Sequence, residues 1–252
     1  MTDFSISRDK ASLFFESAAG QYLLEWEQSQ HDQVLTNIFG YYAIQIGLPQ
    51  VNFLRKNRIL NKRTLAPNEP ADILGIPEAL PIENQSMDLV VLPHQLEFSD
   101  NPHQILREAE RVLMPEGKLI ITGFNPVSLW GIYHRLASKK ERTKHFPWNG
   151  QFIALNRLKD WLSLLNLEIT GGAFGCYRPP NLSLAMAQRF AFLEKAGNRW
   201  WPTAGGAYLI SATKKVYGMK IMPHPWLSKQ AENTAKGTAT ILNITNYDSD
   251  DE

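Results

Sequence analysis

Among the residues whose type and position could do chemistry, His94 stands out. It follows the apolar run Met87-Asp88-Leu89-Val90-Val91-Leu92, closed by Pro93, so a buried strand would deliver it at a carboxyl end. An imidazole whose pKa is near its ordinary value of ~6.5 can take a proton from an acceptor group at neutral pH. The alternative role is a pocket-wall or capping histidine. Asp88, at the start of the same run, falls at the other end of the strand and reads as structural. His31, His103, His134, His145 and His224 show no metal-ligand spacing and no H-E-x-x-H motif occurs, so no metal site is expected. Cys176 is the single cysteine; it excludes an internal disulfide, and no His or Asp order beside it suggests a nucleophile.

Two basic clusters could instead serve a polyanion. Arg55, Lys56, Arg58, Lys62 and Arg63 fall between Phe53 and Leu65 with no acid among them; Arg135, Lys139, Lys140, Arg142 and Lys144 stand against Glu141 alone. Trp130, Tyr133, Phe146 and Trp148 flank the second cluster, and basic surface with aromatics can bind nucleic acid. Solvated charge is the commoner explanation. Trp200-Trp201-Pro202 and Trp26 read as core and cap packing, and Gly171-Gly172 and Gly205-Gly206 as turns.

The elements that must position these residues alternate. Apolar residues recur at helical spacing over the first forty positions. A strand-like run at 41–47 ends in Gly47, 87–92 is a second strand, and 102–114 is a helix with a stripe of Ile105, Leu106, Ala109, Val112 and Leu113. Pro115-Glu116-Gly117 stops that helix, and 118–123 is a third strand. Further on, 157–165 reads as helix, 167–170 as strand, 182–195 as helix and 207–213 as strand. Strands separated by helices require right-handed crossovers and a mostly parallel sheet. The expected fold is α/β, a Rossmann-like three-layer sandwich with a helical N-terminal extension. The expected domains are 1–40 for that extension, 41–216 for the α/β body and 217–252 for a disordered acidic tail.

Composition agrees. The 252 residues include 44% hydrophobic and 11% aromatic side chains, enough to bury a core, and a formal net charge of +1 gives no global field toward nucleic acid or membrane. Residues 219–252 carry three lysines against five acids, so the balanced total hides a basic body. No run of ~18 apolar residues suggests a membrane span, and no apolar stretch after Lys10 suggests a secretory signal. A cytoplasmic location is expected.

One stretch is more specific. Glu78-Ala79-Leu80-Pro81-Ile82 precedes the strand at 87–92. His94-Gln95-Leu96-Glu97, Asp100-Asn101-Pro102, Leu106-Arg107-Glu108, Arg111-Val112-Leu113 and Met114-Pro115-Glu116-Gly117-Lys118-Leu119 follow in order. Together they resemble the type 11 domain of class I S-adenosylmethionine-dependent methyltransferases over about 75–123. The resemblance implies S-adenosylmethionine as cofactor and a cofactor site drawn from Gln45, Gly47, Glu69, Ile76, Glu78, His94 and Gln95. It also implies a small-molecule methyl acceptor as partner, with nucleic acid as the lesser alternative; oligomeric state is not fixed.

The cofactor half departs from the family pattern. Where the family has D/E-x-G-x-G, this chain has Gln45-Ile46-Gly47-Leu48-Pro49: Gln45 replaces the acid, and Pro49 stands where a glycine would admit the ligand to the backbone. No acid follows until Glu69, so the ribose ligand is Glu69 or missing. Ile76 falls near the expected adenine, and Phe98 replaces a family histidine after Glu97. The expected function is S-adenosylmethionine-dependent methyl transfer to an unidentified acceptor. The alternatives are a non-catalytic binding protein on the same fold, or a nucleic-acid-binding variant using the clusters at 55–63 and 135–144.

Overall fold

Strands buried on both faces form the centre of the molecule. In the computed structural model, which describes residues 14–136, 150–179, 194, 197 and 199–215, β4 (Met87–Pro93) sends Leu89 and Val91 to one face and Val90 and Leu92 to the other. Each is fully buried, worth about 1.5–3 kcal/mol per side chain relative to exposure. Around it lie β1 (Tyr42–Ile46), β2 (Asn61–Ala66), β3 (Ile73–Leu74), β5 (Leu113–Phe124), β6 (Leu167–Gly175) and β7 (Ala207–Lys214). The sheet order is β3-β2-β1-β4-β5-β7-β6; the first five strands run parallel and β7 is antiparallel to both neighbours.

Helices cover both faces. α1 (Ala18–Leu35) is N-capped by Ser17, whose hydroxyl accepts from Gly20 N–H at 3.1 Å. It packs Leu23, Leu24 and Leu35 into one core with Ala43, Leu89, Val91 and Ile120. On the other face, α2 (Pro102–Val112) presents Ile105, Leu106, Ala109 and Val112, and α4 (Leu155–Leu164) presents Leu158 and Leu162, to Ile44, Val90, Leu92 and Ile121. α3 (Leu129–Leu136) buries Trp130 against the first core. The result is the expected three-layer α/β sandwich.

Strand order reverses between β1, which leads outward to β2 and β3, and β4, which leads the other way. A ligand crevice forms at such a switch point, beyond the carboxyl ends of the strands. Asp88 lies at the other end of β4 and is structural, its carboxylate accepting from the N–H groups of Tyr41 and Tyr42 at 2.7 and 3.0 Å.

Several local expectations are corrected. β2 is a strand whose first four residues, Asn61, Lys62, Arg63 and Thr64, hide it from apolar periodicity. β5 begins at Leu113, before Pro115-Glu116-Gly117, with a register shift where it leaves Leu113. Gly171-Gly172 lies inside β6, next to its own register shift, and makes no turn. Trp200 and Trp201 are 70% and 60% exposed and are not core. The helix expected at 182–195 falls almost wholly outside the described residues, and the tail at 217–252 falls entirely outside them.

Candidate cofactor site at the switch point

A cavity of about 460 Å³ opens at the carboxyl ends of β1 and β2. One bank is the N-terminal segment, with Phe15, Glu16, Gln21 and Leu24. The other is the turn after β1, from Gly47 to Val51, with the end of β2 from Ala66 to Glu69, and Gln95 closes it from the end of β4. The turn needs its glycine. Gly47 has φ +94°, and a Cβ there would lie 1.9 Å from Gln95 Nε2. The Gly47 N–H donates to Leu65 O at 2.8 Å, which fastens the turn to β2.

No helix follows β1; residues 47–60 are loop. Side chains hold that loop in the helix's place. Gln45, 1% exposed, donates from Nε2 to the carbonyls of Gly47, Leu48 and Val51 at 3.0, 3.0 and 2.8 Å, and its Oε1 accepts from Phe53 N–H at 3.0 Å. Asn57 donates to Leu35 O and Ile38 O at 2.8 and 3.0 Å and accepts from Ile59 N–H at 2.9 Å. Phe53 and Leu54, carried between them, are buried in the core under α1.

Beneath the cavity edge lies a buried charged centre. His94, just past the end of β4, has φ +51°, and its ring is fully buried. Its Nε2 lies 2.6 Å from Glu27 Oε1 on α1, and its Nδ1 lies 2.7 Å from Glu97 Oε2. The other Glu97 oxygen accepts from the backbone N–H of Phe124 at the end of β5. All three side chains are buried. Burial opposes charge on His94, but the Glu27 and Glu97 carboxylates outweigh it and push the pKa up to about 10. Burial raises Glu97, with His94 acting the other way. His31, one turn along α1 from Glu27, is held below its ordinary pKa by burial and makes its hydrogen bond from Nδ1 to Glu27 O at 2.8 Å. Glu27 Oε2 and His31 Nε2 have no hydrogen-bond partner among the described residues.

The stretch from 41 to 121, β1 through most of β5, matches the family model of the methyltransferase domain. The uncharacterized protein YafS of Escherichia coli is 35% identical over 206 residues, covering 79% of this chain and 77% of that protein. The chain belongs to the type 11 methyltransferase-domain family of class I proteins. Solved structures share the fold at lower identity. A S-adenosylmethionine-dependent methyltransferase of Thermotoga maritima is 20% identical with a TM-score of 0.59, covering 82% of this chain and 95% of that one. Another from Archaeoglobus fulgidus is 14% identical with a TM-score of 0.53, covering 76% and 94%.

Of the residues expected at the methyltransferase site, Gly47, Glu69 and Gln95 come together on the cavity wall. Gln45 lies beneath the turn. Ile76 is 54% exposed, bridges to Ala79 and does not line the cavity. Glu78 accepts from Ser99 O–H at 2.6 Å, tying its turn to the segment after Glu97, and also lies off the wall. His94 is adjacent in sequence to a wall residue, but its ring points away into the charged centre.

Sequence reasoning missed Glu27 and His31. The available signal was their register: Gly20, Leu23, Leu24, Glu27, His31 and Leu35 form one buried helical stripe, so a carboxylate and an imidazole occupied core positions. It also missed Phe15, Gln21 and Leu24 as cavity wall.

The first basic cluster is largely spoken for. Arg55 reaches Asp32 at 2.6 Å, Lys56 approaches the same carboxylate at 3.4 Å, and Lys62 donates to Leu54 O and Asn57 O at 3.2 and 3.0 Å. Arg63 lies 3.9 Å from Asp72. Of the second cluster, all but Arg135 lies outside the described residues. Among the described residues no group of three His, Cys, Asp or Glu could hold a metal, and no helix is long and apolar enough to cross a membrane. Cys176 is buried, and burial raises its thiol well above the usual range, away from the reactive thiolate.

Proposed function

We propose that this protein is a S-adenosylmethionine-dependent methyltransferase acting on a small-molecule acceptor. The observation that carries the reading is the cavity at the switch point, walled by a positive-φ glycine after β1 and a carboxylate after β2. Its volume lies within the range of small-ligand sites. The nucleoside half of the cofactor fits the residues present: the Glu69 carboxylate can accept from both ribose hydroxyls, and Gly47 lets backbone approach the ligand.

When bound, S-adenosylmethionine supplies an electrophilic methyl group on a sulfonium. The protein's part is positioning and exclusion of water. Phe15 and Leu24 give the acceptor-side bank an apolar lining, and Gln21, whose amide donates to Phe15 O at 2.9 Å, fixes that bank's shape. His94, both nitrogens held by carboxylates, works as a positioning residue that docks α1 onto the end of β4 and so sets Gln95 over Gly47. The engagement of Arg55, Lys56 and Lys62 within the fold weighs against a nucleic-acid role for the 55–63 cluster.

Calorimetric titration with S-adenosylmethionine and S-adenosylhomocysteine tests the reading. Binding in the micromolar range supports it; no heat at millimolar ligand sinks it.

A further inference from the structure

The glycine that the cofactor reading needs is already covered. The room a glycine offers is the space where another residue carries its Cβ, and at Gly47 the end of the Gln95 side chain, from Cγ to Nε2, fills that space. Both residues line the cavity, and Gln95 is half-buried at its edge. A ligand drawn up to this face of Gly47 and the Gln95 amide cannot stand there together.

Of the two walls in contact, the Gln95 side chain is the one that can yield. The turn is fixed: Gly47 N–H donates to Leu65 O at 2.8 Å, and Gln45 Nε2 donates to the Gly47 and Leu48 carbonyls, each at 3.0 Å. The backbone that carries Gln95 is fixed as well. His94 N–H donates to Thr122 O at 3.1 Å, and the His94 ring is held between Glu27 and Glu97. Beyond that anchored backbone the Gln95 side chain still turns about χ1, χ2 and χ3.

We infer that Gln95 sets access to the Gly47 end of the cavity: its side chain lies across the glycine and turns off it when a ligand takes that place. This rests on the cofactor reading above and deepens it, by naming the residue that regulates the site. A protein whose binding-competent state is fractionally populated binds more weakly by that fraction. With roughly one molecule in ten turned open, the native chain binds ~tenfold more weakly than a chain without the obstacle. The loss falls on association, because a ligand already seated on the glycine no longer has the side chain in its way.

The test is surface plasmon resonance of the immobilised full chain with S-adenosylhomocysteine, comparing the native protein with Gln95→Ala and Gln95→Met. Alanine removes the obstacle; methionine keeps a side chain of similar length without the amide. Gln95→Ala is expected to bind ~tenfold tighter, with the gain in the association rate and the dissociation rate unchanged. Gln95→Met is expected to stay within ~threefold of the native chain. Native or weaker affinity in Gln95→Ala overturns this inference while leaving the cofactor reading standing, and so does a gain confined to the dissociation rate. Weakening in both variants assigns the amide a direct ligand contact instead. Binding by none of the three proteins overturns the cofactor reading and this inference together.

Discussion

His94 Nε2 lies 2.6 Å from Glu27 Oε1 across 67 residues of sequence, and neither side chain is exposed. The contact joins the N-terminal helix to the carboxyl end of the central strand, and Glu97 carries it on to the end of β5. Two elements that frame the cavity, α1 and the end of β4, therefore share one charged centre with β5.

Removing one partner of that centre is expected to cost more than removing both. Glu27→Leu leaves a buried imidazolium short of a carboxylate, and breaking a buried pair this way costs about 3–5 kcal/mol. Glu27→Leu combined with His94→Leu removes the imidazolium, lets Glu97, which burial already pushes toward its neutral form, take up a proton, and restores apolar contact with Phe15 and Phe124, whose rings lie 5.9 and 4.4 Å from that of His94. Urea denaturation should place the double variant above the single one. Equal or greater loss in the double variant would show that the pair does not act as a unit.

The same centre sets a pH dependence. The folded-state pKa of His94 is about 10 against an ordinary 6.5, so the folded protein holds this proton more tightly than the unfolded chain. That contribution is complete below about pH 6.5 and is lost as pH rises through about 10. Glu97, also raised, acts in the same direction. The groups facing His94 are Glu27 and His31 from α1 and Glu97 from the turn after β4; Glu27 and Glu97 favour its charge, and His31 stays neutral. Unfolding free energy measured from pH 6.5 to 10 should fall in the native chain and flatten in His94→Leu. A native profile as flat as the variant's would contradict the charged assignment.

How much of this was legible depended on how each segment buries. The run at 87–92 and the stripe from Ile105 to Val112 announce themselves because their apolar residues follow one period and are fully buried. β2 did not, because only its last two residues, Leu65 and Ala66, are buried. Trp200 and Trp201 misled in the opposite way, since large apolar residues are usually inside and these are not. On the cavity wall, Gly47 and Gln95 follow from motif order, and Glu69 only from being the first acid after β1. The partner of His94 could not, because nothing in the local sequence around 94 refers to a helix begun more than sixty residues earlier.

Gln45 offers a prediction against the family pattern. Restoring the acid with Gln45→Glu would turn a donor to three carbonyls into an acceptor facing them, while the buried Gly47 carbonyl and the half-buried Leu48 and Val51 carbonyls lose their partner. Unmade buried hydrogen bonds cost about 1–3 kcal/mol. Thermal unfolding should drop for Gln45→Glu despite its resemblance to the family residue, and ligand affinity should weaken because the loop bearing Gly47 loosens. A variant as stable as the native chain would mean the loop is held by Asn57 and its core residues alone.

Gly47 separates backbone from steric demands within one residue. Gly47→Ala must hold φ +94°, which a residue with a Cβ adopts only under strain, and must also place that Cβ 1.9 Å from Gln95 Nε2. The second conflict can be relieved, because the obstacle is the end of a flexible side chain; the first cannot. Gly47→Ala is therefore expected to weaken S-adenosylhomocysteine binding by ~tenfold or more, and Gly47→Ala with Gln95→Ala to recover part of the loss. Full recovery in the double variant would show that the glycine is needed only for room beside Gln95, and no recovery that the backbone conformation alone requires it. Gly47→Ala binding like the native protein would remove the turn after β1 from the ligand site.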